Sequence, residues 1–154
     1  MDMQTALEPI VKTLDLRAPV DKAFHHFTEN IHLWWPMARH SLSQADAVHV
    51  VFEGEAGGRL YEVDKDGRER EWGRVLEWDA PRRAVFSWVL EAPEKRTEVE
   101  IQFAEGAGGG SVLTLIHRGW ESRPDGAEWR KNYHTGWDGV LGNFVDSLES
   151  SLSL

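Results

Sequence analysis

WRKNYHTGWDGVLGNFVDSL, residues 129–148, is the stretch on which the fold turns. Trp129, Tyr133, Trp137, Val140, Leu141, Phe144, Val145 and Leu148 follow the 3.6-residue period of an amphipathic helix over about six turns. Gly136, Gly139 and Gly142 interrupt it. A glycine in a helix interior costs about 1 kcal/mol against alanine. Three of them point to a close approach by another backbone, to a loosened helix, or to glycines that are merely tolerated. A helix with one apolar stripe must bury that stripe. The residues ahead of it show against what.

Upstream, the period is two. Val112–Arg118 and Arg96–Phe103 read as strands around the loop Gly106–Gly110. That loop lacks the Lys-Ser/Thr ending of a phosphate-binding loop and leads into no helix. Thr97, Val99, Ile101 and Phe103 alternate with Glu98, Glu100 and Gln102, giving one buried and one wet face. Ala84–Leu90 is apolar on both faces, and Ala80-Pro81 turns the chain before it. Arg70–Asp79 is a long strand that follows the turn Asp66-Gly67. On it, Trp72, Arg74, Leu76 and Trp78 share a face by alternation; the reading leans to an outward face and leaves open an inward one, on which Arg74 would be a buried cation that needs a partner or an anionic ligand. Arg59–Val63 and His49–Gly54 flank Gly57-Gly58, a hairpin signal. Further up, Pro19 opens a helix over Val20–Thr28 with Val20, Phe24 and Phe27 on one face. A short piece through Ile31, Leu33, Trp34 and Trp35 ends at Pro36. The first strand is Ile10–Arg17, with Ile10, Leu14 and Leu16 together. The order is strand, two short helical pieces, about six antiparallel strands and one long helix. It predicts an α+β fold in which a curved sheet wraps the C-terminal helix. A curved sheet and a straight helix do not match in shape, so large side chains fill the gap or a cavity remains.

Composition bounds the function. The 154 residues make one ordinary domain, 41% hydrophobic and 28% charged, which is enough to bury a core. The net charge of −9 has no basic cluster against it, which disfavours nucleic acid and anionic membrane surfaces. No apolar run approaches a membrane span, and Met1–Gln4 does not open a secretion signal, so the expected location is the cytoplasm. Cysteine is absent, which excludes thiol chemistry. Eight tryptophans are unusual for this length; each brings a large ring and one N–H that needs a partner when buried.

No catalytic motif stands out. There is no Gly-x-Ser-x-Gly elbow. Glu53 and Glu55 share a strand face, the usual arrangement of solvated acids. Among the seven histidines, His25-His26 diverge on a helix and His32 and His40 sit near a proline break; no ligand spacing for a metal occurs, and no metal or cofactor is expected. His117 shares a face with Leu113 and Leu115, which directs it inward. It is either a core histidine bonded to a backbone group or the polar group that orients a ligand. Tyr133 and Trp137, one turn apart, either pack the core or offer an O–H and an N–H to a ligand.

The chain resembles the START-like (SRPBCC) superfamily and, within it, the AHSA-type domains, homologues of the activator of the heat-shock-protein ATPase. Ala18-Pro19-Val20 before Phe24, Leu33-Trp34-Trp35-Pro36, Gly73-Arg74-Val75-Leu76-Glu77, Pro81-Arg82-Arg83, Phe86-Ser87-Trp88, Leu113–His117 and Gly136-Trp137 carry the resemblance, in the family's order, over about residues 10–150. It implies a helix-grip fold: a seven-stranded antiparallel sheet gripping the C-terminal helix, with a pocket between them. It does not imply one activity.

Three functions follow as expectations. The first is binding of a small hydrophobic or aromatic ligand in that pocket, with Trp35, Trp88, Val99, Ile101, Leu113, Leu115, His117, Trp120, Tyr133, Trp137 and Leu141 as its contacts. The second is a polyketide-cyclase or aromatase type of enzyme that uses His117 and Tyr133. The third is a co-chaperone-like interaction domain in the stress response, with an exposed apolar patch around Trp34, Trp35 and Trp120. Its partner would be a chaperone, and a homodimer is a further partner expectation.

Overall fold

The computed structural model describes residues 7–36, 43, 46–89 and 96–152. Leu90 and His40 lie outside them. The described chain runs β1 (Ile10–Leu16), α1 (Val20–Thr28), α2 (Ile31–Trp34), β2 (Ala47–Phe52), β3 (Arg59–Asp64), β4 (Glu69–Asp79), β5 (Arg83–Trp88), β6 (Thr97–Glu105), β7 (Ser111–Arg118) and α3 (Gly126–Leu152). The strands form one seven-stranded sheet in the order β1-β7-β6-β5-β4-β3-β2, every pair antiparallel. This is the helix-grip arrangement that the element order implies.

Register brings the inward residues into rows. Ile10 faces His117, His117 faces Val99, Val99 faces Phe86, and Phe86 faces Val75, so five strands contribute one buried row beneath α3. Leu115, Ile101 and Ala84 form the next. Against them α3 buries Trp137, Val140, Leu141, Phe144 and Leu148, at the i, i+3, i+4 spacing that the sequence shows. The apolar side of α1 closes one end: Phe24 meets Trp78 at 5.0 Å and Phe103 at 5.7 Å, edge to face.

On the outer face Glu100, almost fully buried, accepts from Arg83 Nε at 2.7 Å and Arg118 Nη1 at 2.8 Å. Burial works against its charge, but these partners, with Gln102, hold its carboxyl down at about 2.

β4 departs from strict alternation. Register shifts occur between Leu60 and Tyr61 on the β3 side and between Val75 and Glu77 on the β5 side. Each bulge inserts one residue and reverses the side-chain phase. As a result Trp72 and Val75 are buried, Trp78 packs on the core, and Arg74 points out to Glu71 at 2.9 Å. The outward direction holds for Arg74 and fails for Trp72, which is fully buried. Gly73 is where β4 runs hardest against β5: a Cβ there would lie 1.7 Å from the Ser87 carbonyl oxygen.

On α3 one of the three readings of the glycines drops out and one member of the apolar stripe is corrected. Gly136, Gly139 and Gly142 face open space, so no backbone approaches them. Trp129 is 38% exposed instead of lying in the apolar stripe. It leans toward the helix start, donating to Asp125, with the Arg123 guanidinium 5.0 Å over its ring.

The two kinds of glycine separate in a stability measurement. Gly73→Ala is expected to lower unfolding stability by about 2 kcal/mol or more, because backbone must move. Gly139→Ala is expected to raise it by up to about 1 kcal/mol. Denaturant midpoints of both variants check this; a neutral Gly73→Ala would contradict the close approach.

Candidate functional site

Between sheet and helix the chain assembles a wall of indoles. Trp35 follows α2 directly, Trp72 comes from β4, Trp88 ends β5, and Trp137 sits on α3. Trp35 lies 5.0 Å from Trp72, 5.8 Å from Trp88 and 5.9 Å from Trp137 between ring centres. Trp72–Trp88 is 5.6 Å and Trp88–Trp137 6.1 Å. Such spacings are those of favourable tilted aromatic pairs. Far-apart segments thus meet because each places one large ring on the inward face at the same level.

One end of the wall is a closed hydrogen-bond chain centred on His117. The Trp137 indole can only donate, so its 3.0 Å contact to His117 Nδ1 makes that nitrogen the acceptor. A neutral imidazole then carries its proton on Nε2, which donates to Thr97 Oγ1 at 2.8 Å. The threonine hydroxyl continues to the Trp88 carbonyl at 3.4 Å. Trp120 donates to the His117 carbonyl at 3.0 Å, and Trp88 to the Tyr133 hydroxyl at 3.0 Å. Burial, with a smaller contribution from the Arg123 charge, pushes the His117 imidazole down to about 3. His117 is therefore neutral at ordinary pH with both ring nitrogens engaged. Its partners are a hydroxyl and an indole, where the core reading anticipated a backbone group. Burial also raises the Tyr133 hydroxyl above its usual range.

The other end holds an acid. Glu62, on the inward face of β3, is fully buried. Its Oε1 accepts from Trp72 Nε1 at 2.6 Å and its Oε2 from the Ser43 backbone N–H at 2.7 Å. Sequence reasoning missed Glu62 and Trp72. The signal for Glu62 was present: strand alternation puts it on the face of Leu60. Trp72 was hidden by the bulges.

Of the residues expected to contact a ligand, Trp35, Trp88, His117, Trp120, Tyr133 and Trp137 form one connected group of rings. Val99, Ile101, Leu113 and Leu115 from the sheet and Leu141 from α3 are buried in the same core. The exposed patch expected around Trp34, Trp35 and Trp120 is not formed, because all three are buried. Trp34 donates to the His26 carbonyl at 3.0 Å and packs on Phe27 and Phe144. The histidines go separate ways: His25 pairs with Glu29, His26 bonds Ser147, and His32 stacks on His49. Glu53 accepts the Arg59 N–H at 2.7 Å and Glu55 is exposed.

A concavity of about 560 Å³ opens away from the wall, beyond the β6–β7 end, between Pro9, Arg96, Thr97, Glu98, Arg118 and Glu121. Three of its charges pair with one another: Glu98 lies 3.2 Å from Arg96 and 3.5 Å from Arg118. No helix among the described residues is long and apolar enough to cross a membrane.

The model of the family described as Activator of Hsp90 ATPase homolog 1-like protein matches residues 17–149. No curated protein matches the chain. Among solved structures, an anthrahydroquino-gamma-pyrone synthase, Txn09, solved as a complex, is 31% identical, with 92% of this chain and 97% of that one covered and a TM-score of 0.64. Protein MLL2253 from Mesorhizobium loti is 17% identical over 93% of this chain and 98% of its own, with a TM-score of 0.70. CalU16 from Micromonospora echinospora is 21% identical over 94% and 78%, with a TM-score of 0.64. The last two likenesses are of fold.

The His117 chain has a pH signature. Its folded value, about 3, lies below the unfolded value of 6.5. The unfolded chain therefore takes up a proton in that window and the folded one does not. This contribution to stability is complete above about pH 6.5 and is lost as pH falls toward 3. Wild type is expected to lose stability on acidification more steeply than His117→Gln, by up to about 1.4 kcal/mol per pH unit. Urea unfolding from pH 7 to 4 checks it; parallel curves would contradict the buried neutral imidazole.

Proposed function

We infer the function from one premise: this chain belongs to the Activator of Hsp90 ATPase homolog 1-like family, the AHSA-type branch of the START-like domains. From it we propose that the chain binds a small planar aromatic molecule between sheet and α3, against the rings of Trp35, Trp72, Trp88 and Trp137. The observation that carries the reading is the convergence of those four indoles from four separate elements. A flat apolar ligand gains both dispersion and ring-stacking energy from such a wall. Ligand sites are mostly apolar with a few fixed polar groups, and the wall has hydrogen-bonding side chains at both ends.

The relative at 31% identity supports the ligand class, since its name describes a synthase of a fused anthrahydroquinone-pyrone. It also favours a second reading, that this chain closes a ring on a related aromatic polyketide. In that case binding precedes chemistry and the same wall orients the substrate. The co-chaperone reading loses the exposed tryptophan patch on which it depended.

Titration of the purified chain with 9,10-anthraquinone, followed by quenching of tryptophan fluorescence, tests the proposal. Saturable one-to-one quenching is expected, weakened about tenfold or more in Trp35→Ala, which removes a stacking face. Quenching that never saturates, or that ignores Trp35→Ala, would overturn it.

A further inference from the structure

The hydrogen bonds at the His117 end run in one direction and stop at a proton. Trp137 donates to His117 Nδ1, His117 Nε2 to Thr97 Oγ1, and the Thr97 hydroxyl to the Trp88 carbonyl. Trp120 donates to the His117 carbonyl. Trp88 donates to the Tyr133 hydroxyl at 3.0 Å, and an indole offers no acceptor in return. The Tyr133 oxygen therefore accepts in this contact, and its own proton has no acceptor among the described residues. Every other side-chain donor in the network is matched. Tyr133 is partly buried on α3, one turn before Trp137, with its ring against His117 at 5.1 Å and Trp120 at 5.6 Å. Its hydroxyl lies at the edge of Trp88, one of the four rings of the wall.

We propose that the Tyr133 hydroxyl is the polar anchor of this site and donates its proton to a carbonyl oxygen of the ligand. The inference rests on the aromatic-ligand reading above and specifies its class: a quinone or aromatic ketone, whose oxygen lies in the plane of its rings. Complementarity carries the argument. A hydroxyl proton seldom stays without an acceptor in a protein interior, so a ligand that brings one gains a bond the protein does not make for itself. The acceptor is neutral rather than anionic. His117 is uncharged, so the network holds no cation to offset a buried carboxylate or phenolate, and an uncompensated charge there is costly. Burial raises the Tyr133 hydroxyl above its usual range, with the Trp88 N–H and the Arg123 charge opposing it only in part, so at neutral pH the group is a donor. A ring stacked on the wall carries its carbonyl oxygens at its rim, and the donor stands at the rim of Trp88. The Trp88 N–H fixes the tyrosine oxygen before the ligand arrives, so little ordering remains for binding.

9,10-Anthraquinone and anthracene provide the test, since they share three fused rings and differ in the two carbonyl oxygens. Dissociation constants come from the fluorescence titration, on wild type, Tyr133→Phe and Trp35→Ala. Tyr133→Phe should weaken anthraquinone by about fivefold and leave anthracene within about twofold. Trp35→Ala should weaken both, because each stacks on that ring. The infrared carbonyl stretch of bound anthraquinone should lie lower in wild type than in Tyr133→Phe, a shift that only a hydrogen bond to the ligand produces. A purely structural role for Tyr133, as acceptor for Trp88, would weaken both ligands alike and leave the carbonyl stretch unmoved; either result overturns the anchor. Affinities that respond to Trp35→Ala and ignore Tyr133→Phe overturn it too, while the aromatic-ligand reading stands. Binding of neither ligand overturns both. Should Tyr133→Phe fail to fold, the wild-type spectrum decides: a bound carbonyl that absorbs where anthraquinone does in cyclohexane refutes the anchor, and one at lower frequency supports it.

Discussion

Every indole buried between the sheet and α3 brings a single N–H that must find an acceptor, and much of the interior is arranged to supply one. An unpaired polar group in an apolar interior costs a kilocalorie or more, so these bonds are obligatory. Trp34 finds the His26 carbonyl, Trp72 the Glu62 carboxylate, Trp88 the Tyr133 hydroxyl, Trp120 the His117 carbonyl and Trp137 the His117 ring. The acceptors come from α1, β3, α3 and β7, so satisfying the indoles also fixes how those elements sit. The His117 tautomer is a consequence of the same requirement, since a donor-only indole leaves Nδ1 no other role.

The indoles also resolve the mismatch between a curved sheet and a straight helix. Inward rows such as His117-Val99-Phe86 bring the sheet's inner surface under α3, and rings from the residue after α2, from β4 and from β5 occupy the region where the two diverge. That region is where the aromatic wall and the buried acid Glu62 meet. A buried acid at one end of an apolar wall gives directionality that aromatic surface lacks.

Much of this was legible before any coordinates. The heptad-like stripe of α3, the alternation of β6 and β7, and the Pro-opened α1 are local patterns, and local patterns translate directly into buried faces. His117 was directed inward by the same alternation, and it is inward. Alternation failed on β4 because two bulges reset its phase, and a bulge is decided by how two strands pair rather than by either strand alone. The expected patch at Trp34, Trp35 and Trp120 failed for a related reason. Exposure of a tryptophan in an irregular segment depends on which neighbours arrive from elsewhere, here Phe144, Trp72 and Tyr133.

The sequence by itself determined the order of elements, the stripe and rows that face each other, and the quantity of indole the core would have to accommodate. It also left three readings open for the α3 glycines. Only the tertiary structure showed that they face open space, that Trp72 turns in beside Trp35, and that a carboxylate from β3 meets its N–H. The division has one physical cause. Periodicity is a property of a few consecutive residues, whereas the partner of a side chain is set by register, bulges and loop closure between segments far apart in the chain, and no local pattern encodes those.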